Sequence, residues 1–230
     1  MIKSPAPFPI RSMMRQLILD LLPESPPTLD NFVAGGNAET LAALTGWLAG
    51  ERVDPSFCLW GEAGCGRSHL LQASAFTYVD AALDPTLAGA PADDQLAVDN
   101  VHRLDGDGQI ALFNHFNRLK MAGGQLLTAA PQPPAHLALR EDLRTRLGSG
   151  LIYRLLPLSD AEKAAALATQ ARERALKLTP EAIDYLLRHA PRDMRALSAF
   201  IVALDRYTLE HKRAVTLPLL RELLTLENHA

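Results

Sequence analysis

The sequence predicts an α/β fold in which a parallel sheet with crossover helices is followed by a small, all-helical lid. Strand patterns alternate with helical patterns between residues 28 and 157, as a parallel sheet requires. A glycine-rich loop directly follows the first strand pattern, and from Ser159 onward only helical patterns occur. We therefore divide the chain into a flexible tail at 1–27, an α/β domain at 28–157 and a helical lid domain at 158–230.

The elements of the α/β domain follow from apolar spacing and from turn residues. The predicted extended segments are 57–60, 76–81, 96–98 and 125–129. The predicted helices are 37–50, 68–75 and 110–122, the last one stopped by Gly123-Gly124. The segment 83–94 is rich in Pro, Gly and Asp, which favours a loop. Ligands of such sheets bind at the carboxyl ends of the strands.

Helix-start signals organise the C-terminal part of the chain. Ser159 with Glu162 has the spacing of a capping box. Thr179 precedes Pro180 and Glu181, which predicts an N-cap with proline at the first helical position. Thr216 precedes a last leucine-rich helix. These signals predict a purely helical lid.

Composition limits the classes of function. The 230 residues are 48% hydrophobic, enough for one core and a smaller second one. A net charge of −3 provides no basic field for DNA, so we expect no direct sequence-specific DNA binding. Cys58 and Cys65 form no CxxC pair, which suits a reducing cytoplasm. The apolar run 17–22 contains Asp20 and is too short to cross a bilayer, so we expect no membrane association.

The loop at 61–68 has the pattern of a phosphate-binding loop. Its glycines let several backbone N–H groups converge on a phosphate, and the Ser68 hydroxyl is placed to hold Mg²⁺. The predicted binding residues are Gly61, Gly64, Cys65, Gly66, Arg67, Ser68 and His69. Arg67 stands where lysine is usual, and its larger planar fork favours nucleotide binding over fast hydrolysis. An ordinary glycine-rich turn between a strand and a helix remains the alternative.

Asp99 and Asn100 follow a buried strand, where a carboxylate can orient Mg²⁺ beside the phosphate loop. Many ATPases carry an acid at the second position to polarise water, and an amide is a much poorer base. Asp99 could alternatively only cap a turn. Together with Arg67, Asn100 predicts weak hydrolysis or none.

Five segments together resemble the DnaA-like AAA+ family. They are Thr28-Leu29-Asp30-Asn31-Phe32-Val33-Ala34-Gly35-Gly36-Asn37, the loop at 61–68, Val98-Asp99-Asn100, Leu143-Arg144-Thr145-Arg146-Leu147 before Gly150-Leu151-Ile152, and Asp193-Met194-Arg195-Ala196-Leu197. The resemblance covers about residues 28 to 230. DnaA would continue into a basic helix-turn-helix DNA-binding domain, which we do not expect here, and the Gly-Arg-Ser loop with the Asp-Asn strand end is similar to the Hda type, regulatory inactivators of DnaA. The stretch between Ser68 and Asp99 is shorter than is usual in the family, so an abbreviated crossover is expected.

The resemblance implies an AAA+ domain that binds an adenine nucleotide, ADP or ATP, with Mg²⁺ held by Ser68 and Asp99. Phe32 and Val33 would pack on the adenine with Asn37 nearby, although Phe32 and Val33 could instead only fasten the first helix. Arg195 would be the lid arginine that senses the nucleotide, although an isolated arginine on a helix is more often a surface residue.

Arg146 is implied to be an arginine finger that acts in trans on the γ-phosphate of a neighbouring protomer. We place it past the last strand of the sheet, near the domain junction. The alternative is a solvated arginine at a helix end, beside Arg144. As a finger, Arg146 would stimulate hydrolysis of DnaA-bound ATP although the chain itself hydrolyses ATP poorly.

The hexapeptide Gln16-Leu17-Ile18-Leu19-Asp20-Leu21 resembles the peptide with which Hda-like proteins bind the DNA sliding clamp, the β subunit of DNA polymerase III. Gln16, Leu17, Leu19 and Leu21 would make the contacts, since an extended peptide can insert alternating leucines into an apolar cleft. The alternative is an N-terminal edge strand.

The sequence therefore predicts a clamp-bound, ADP-form negative regulator of chromosomal replication initiation, with DnaA as its target and a location at the nucleoid or replisome. A homo-oligomer remains open. A helicase-loader ATPase of the DnaC type would use a similar core but would bind the replicative helicase and single-stranded DNA. A direct origin-binding protein would need a basic recognition element that neither the net charge nor the C-terminal sequence supplies.

Overall fold

A computed structural model describes residues 26–191 and 193–227, with side chains described as far as Leu224. The hexapeptide at 16–21 lies outside these residues. The described chain falls into two compact units, Pro26–Leu158 and a helical unit that begins at Ser159. In the described ranges, no helix is both long enough and apolar enough to cross a membrane.

Five parallel strands form the sheet of the first unit, in the order β2-β3-β4-β1-β5. They are β1 (Ser56–Gly61), β2 (Thr77–Asp80), β3 (Gln95–Asp99), β4 (Gln125–Ala130) and β5 (Leu151–Leu155). Because all strands run the same way, their carboxyl ends meet at one edge of the sheet. Only β4 separates the end of β1 from the end of β3, so the glycine-rich loop and Asp99 share that edge.

Helices cover both faces of the sheet. They are α1 (Ala38–Leu48), α2 (Arg67–Ala73), α3 (Gly106–Ala122) and α4 (Glu141–Gly148), with 3-10 turns at Gly35–Asn37, Val101–Arg103 and Pro134–His136. Successive residues of a strand point to opposite faces. In β3, Ala97 packs in one core with α1 and α2, whereas Leu96 and Val98 pack in the other with α3 and α4. The unit is a three-layer α/β/α arrangement.

Two features of this unit differ from the sequence prediction. Helix α3 begins at Gly106 rather than at 110, because the Asp105 side chain caps it by accepting a hydrogen bond of 2.8 Å from the Gly108 N–H. Strand β5, which follows α4 and pairs with β1, was not predicted from the sequence. The placement of Arg146 past the last strand was therefore wrong, since Arg146 lies in α4 and β5 comes after it.

The second unit contains α5 (Asp160–Glu173), α6 (Pro180–His189), α7 (Met194–His211) and α8 (Leu217–Glu227). The predicted capping box is present, with Ser159 accepting from the Glu162 N–H and Glu162 accepting from the Ser159 N–H. Thr179 caps α6, with Pro180 as its first residue. Asp193 caps α7 by accepting 2.8 Å from the Ala196 N–H. The helices enclose one apolar core that includes Leu167, Leu186, Leu197, Ile201 and Leu220.

Candidate functional site

The glycine-rich loop leaves β1 in a conformation that depends on its glycines. Gly64 and Gly66 have φ angles of 79° and 99°, in the left-handed region that favours glycine. A side chain at Gly61 would collide with the backbone of Leu155 in the neighbouring strand β5. Cys65, between the two left-handed glycines, is buried. The backbone therefore turns tightly where a phosphate would approach, and substitution at these glycines would obstruct that turn.

The environment of the Arg67 side chain indicates whether a phosphate would fit at this loop. It is the first residue of α2, and its Nη1 atom is buried without a hydrogen-bond partner in the described structure. Leaving a buried charged donor unsatisfied costs about 1 to 3 kcal/mol or more, and a phosphate oxygen would satisfy it with a charge-assisted hydrogen bond. Ser68 follows it and is exposed. The donors present thus fit the phosphates of a nucleotide.

Phe32 lies directly against the loop. A Cβ atom at Gly66 would be only 2.6 Å from the Phe32 Cε2 atom, and the Phe32 ring centroid is 5.4 Å from that of His69. His69 is also hydrogen-bonded through Nε2 to the Thr28 carbonyl at 2.9 Å. The segment that carries Phe32 and the half-buried Val33 is therefore fixed beside the glycine-rich loop, and its contact with a base stays a prediction.

Asn37 is 3% exposed, and its side-chain amide is hydrogen-bonded to the backbone. Its Nδ2 donates to the Leu156 carbonyl at 2.9 Å, and its Oδ1 accepts from the Leu156 N–H at 2.7 Å. Both ends of the amide are thus engaged by the backbone that follows β5. Asn37 therefore ties the end of the segment carrying Phe32 to the backbone that follows β5.

Asp99, at the end of β3, is 1% exposed and held by two donors. The Asn100 N–H donates to Oδ1 at 2.7 Å, and the Tyr78 hydroxyl of β2 donates to Oδ2 at 3.2 Å. Burial and the nearby Asp99 carboxylate raise the pKa of Tyr78, so that this hydroxyl keeps its proton. The sequence analysis missed Tyr78, because its contact with Asp99 depends on strand pairing.

Asn100 has φ 53° and its Nδ2 donates to Asp80 Oδ1 at 2.9 Å. The side chain at the water-polarising position is therefore an amide that is bonded to the end of the adjacent strand. An amide lacks the proton-accepting capacity of a carboxylate. This contact supports the interpretation that the chain's own site hydrolyses nucleotide poorly.

His102 is a second group that sequence reasoning missed. It lies in the 3-10 turn after Asn100, and its Nδ1 is buried without a hydrogen-bond partner among the described residues. Burial is the main cause that lowers the pKa of His102, with Arg103 and Arg67 adding to it and Asp99 opposing it. The imidazole is accordingly biased towards its neutral form. The one available sequence signal was a histidine directly behind an Asp-Asn strand end.

Magnesium would have to be bound together with the nucleotide. In the part of the chain that the structure describes, no three His, Cys, Asp or Glu side chains cluster so as to hold a metal alone. Ser68 and Asp99, the residues predicted to hold magnesium, both lie at the shared edge of the sheet and carry oxygen atoms, the ligand type that a hard cation prefers. The bound ion would neutralise phosphate charge.

Arg146 lies in the last turn of α4 and is half-buried. Its guanidinium carbon is 5.6 Å from the ring centroid of Phe113 and 5.9 Å from that of Phe116, both in α3. No carboxylate of the described residues lies within 4 Å of it, whereas Arg140 forms an ion pair of 2.9 Å with Asp142. Arg146 thus rests on aromatic rings and has no carboxylate partner among the described residues.

Arg195 is exposed in the first turn of α7, directly after the Asp193 cap. Its predicted role as a nucleotide sensor, and the finger role of Arg146, stay predictions. The same holds for the hexapeptide contacts, which involve residues outside the described ranges.

Comparisons with known proteins agree with this architecture. The family profile described as "Hda, lid domain" matches residues 160–224. Domain III of the Thermotoga maritima replication initiation protein DnaA matches with a TM-score of 0.66 at 22% identity, over 87% of this chain and 95% of that one. AMPPCP-bound DnaA from Aquifex aeolicus matches with a TM-score of 0.63 at 25% identity, over 80% of this chain and 66% of that one.

A RuvB variant from Thermotoga maritima also matches, with a TM-score of 0.61 at 17% identity, over 90% of this chain and 73% of that one. At that identity the likeness concerns the fold alone. The predicted fold class, an AAA+ P-loop domain with a parallel sheet followed by a small helical lid, is confirmed.

Proposed function

We propose that this chain, an Hda/DnaA-like AAA+ protein, is a negative regulator of chromosomal replication initiation. In this proposal it binds an adenine nucleotide, docks on the DNA sliding clamp and stimulates hydrolysis of the ATP bound to DnaA. The lid match at residues 160–224 is the observation that carries the proposal, because the matching profile describes the lid domain of the Hda type.

The nucleotide is proposed to be ADP, or ATP, with Mg²⁺. The unsatisfied Arg67 Nη1, the tight loop and the adjacent Phe32 ring support this, as does the AMPPCP bound to the matching DnaA of Aquifex aeolicus. Phe32 and Val33 would contact the base, and Ser68 with Asp99 would hold the metal. Asn100 is a poor water activator, so the bound nucleotide is expected to persist.

The catalytic contribution is proposed to act on another protein's nucleotide. A guanidinium presented in trans neutralises charge that develops on the transferred phosphoryl group, and such fingers contribute about 10³ to 10⁵ in rate. Arg146 suits this role because it is on a helix surface and lacks a carboxylate partner in the described structure. A chain whose own hydrolysis is weak could thereby regulate strongly.

The proposed partners are DnaA and the β subunit of the sliding clamp, contacted through Gln16, Leu17, Leu19 and Leu21. The proposed location is accordingly the nucleoid or replisome. A net charge of −3 agrees with recruitment through a protein partner, since it provides no general attraction to DNA.

Single-turnover hydrolysis of DnaA-bound ATP, with the clamp loaded on DNA, tests the proposal. We expect the parent chain to accelerate hydrolysis and Arg146→Ala to lose this acceleration while retaining ADP and clamp binding. A side chain useful only in the partner's transition state should affect rate and leave assembly unchanged.

Arg144→Ala is the matched control, since Arg144 lies in the same helix and is also half-buried. It should retain most of the acceleration. Equal acceleration by the parent and the Arg146 variant would remove the finger assignment, and no acceleration by the parent would remove the proposed function.

A further inference from the structure

We propose that Phe113 positions Arg146, by holding its guanidinium on an aromatic platform formed by the rings of Phe113 and Phe116. The inference rests on the proposed function for its catalytic consequence. Its structural content, an arginine side chain ordered by two rings of the preceding helix, can be tested without a partner protein.

The platform is built by the packing of α4 on α3. Leu143 and Leu147 of α4 are buried, and they share a core cluster with Phe116, which is 1% exposed. Arg146 lies between these leucines along α4, so its direction is set by the same helix packing. Phe116 is the fixed inner ring, whereas Phe113 is half-buried at the rim of the cluster.

The two rings hold the guanidinium at similar distances, 5.6 Å for Phe113 and 5.9 Å for Phe116. Both distances are within the range in which a ring face attracts a cation, and arginine is well suited because it is planar and weakly hydrated. Two rings restrict the guanidinium more than one would. The side chain therefore has fewer conformations to lose when it reaches a phosphate.

An aromatic platform differs from an ion pair because it leaves the charge and the N–H donors of the guanidinium available to a ligand. Arg140 is bound to Asp142 by two hydrogen bonds of 3.2 Å and 2.9 Å, so its charge is paired with a carboxylate and its Nε and Nη2 donors are engaged. The rings orient Arg146 without accepting its N–H donors in this way. A positioned but unneutralised guanidinium is the state that a γ-phosphate in a neighbouring site requires.

Phe113→Leu tests the inference because it keeps an apolar side chain at the rim and removes the ring. We expect the maximal rate of stimulated hydrolysis to fall about two- to tenfold, the range expected for one cation–π contact. The concentration of the chain that gives half-maximal stimulation should stay unchanged. Phe113→Tyr should restore the rate, and Ile110→Ala on the same helix, where Ile110 is 44% exposed, should leave it unchanged.

A measurement on the chain alone separates this inference from the proposed function. In ¹H–¹⁵N spectra of the arginine side chains, the Arg146 Nε–H signal, assigned by its absence in Arg146→Lys, should show a ring-current shift that Arg144 lacks. Phe113→Leu should reduce that shift and Phe113→Tyr should keep it. An unshifted Arg146 signal in the parent chain overturns the inference, even if Arg146→Ala abolishes stimulation.

If instead the shift responds to Phe113 while Arg146→Ala still stimulates fully, the platform stands and the finger assignment fails. If Phe113→Leu reduces the shift and leaves the stimulated rate at the parent's value, the positioning role is overturned. Loss of folding in Phe113→Leu would leave the parent spectrum as the deciding observation.

Discussion

At the scale of single residues, the contact between Asn100 and Asp80 determines how many negative charges the ends of β2 and β3 accommodate. Asn100 donates to Asp80 across two neighbouring strands, and its N–H also supports Asp99. Two carboxylates and one amide therefore share a small region, and the amide is the group that prevents a third negative charge there. The water-polarising acid of other ATPases would be poorly accommodated in this arrangement.

We predict that Asn100→Asp lowers the free energy of unfolding at pH 7 by about 1 to 3 kcal/mol, because it removes a donor and places a carboxylate against Asp80. It should not produce fast ATP hydrolysis. Urea denaturation and a steady-state ATPase assay measure the two effects.

The exchanged pair Asp80→Asn with Asn100→Asp is the control, since it retains one amide and one carboxylate at the contact. It should recover most of the lost stability. An Asn100→Asp variant as stable as the parent, or one that gains rapid turnover, would contradict this explanation.

The site residues that sequence reasoning found are those marked by local pattern. Arg67, Asp99 and Asn100 were identified from their positions beside a glycine-rich loop and a buried strand. Tyr78 and Phe113 were missed because their contacts join elements distant in sequence, and His102 was missed because its burial depends on packing. Such contacts depend on strand order and helix packing, which a single sequence does not specify.

At the scale of elements, the phosphate loop depends on one glycine more than on its neighbours. Gly66 has φ 99° and its missing side chain leaves room for the Phe32 ring. The same residue thus serves the loop's backbone conformation and its contact with the segment proposed to receive the base. Its substitution should disturb both.

Accordingly, Gly66→Ala should weaken ADP binding at least about tenfold, because the added methyl group would displace Phe32 and strain the backbone. Calorimetry with ADP and Mg²⁺ measures the affinity.

The control is Gly123→Ala at the end of α3, where φ is 72° and no atom lies within 4 Å of the added Cβ. It carries similar backbone strain of about 1 kcal/mol but no contact with the loop, so it should lower stability and leave ADP affinity unchanged. Equal affinities for all three chains would show that the loop does not bind the phosphates.

Elements with local signals were predicted well and the others were not. The helices capped by Ser159 and Thr179 begin where their capping residues indicated. The expected short crossover after Ser68 is present, since α2 has 7 residues and β2 has 4. Strand β5 was missed although Gly148 and Gly150 mark a turn before it, because it pairs with β1, a strand distant in sequence, at an edge of the sheet.

At the scale of the whole molecule, the chain combines a fold similar to that of DnaA with two proposed features, weak hydrolysis of its own nucleotide and an arginine that acts on another protein's site. Neither feature alone distinguishes a regulator from an inefficient ATPase. A protein that acts in trans needs a high local concentration near its target, and attachment to a common platform supplies this without any new contact. The hexapeptide at 16–21 is the proposed attachment.

The proposed attachment makes a prediction that is independent of the nucleotide site. Replacing Gln16 and Leu17 by Ala should abolish binding to the purified clamp, because the amide that fixes register and the first apolar anchor are both lost. Nucleotide affinity should not change, since the residues proposed to bind nucleotide begin at Phe32.

Stimulation of DnaA by this variant should fall at low concentration and recover as the concentration of the chain is raised, since the proposed finger itself is intact. Ile18 and Asp20 give the matched control, because they are the two residues of the hexapeptide that are not proposed to contact the clamp, so their replacement by Ala should preserve clamp binding. Clamp binding that survives in the Gln16 and Leu17 variant, or that is lost equally in the control, would show that the hexapeptide does not bind the clamp in this alternating manner.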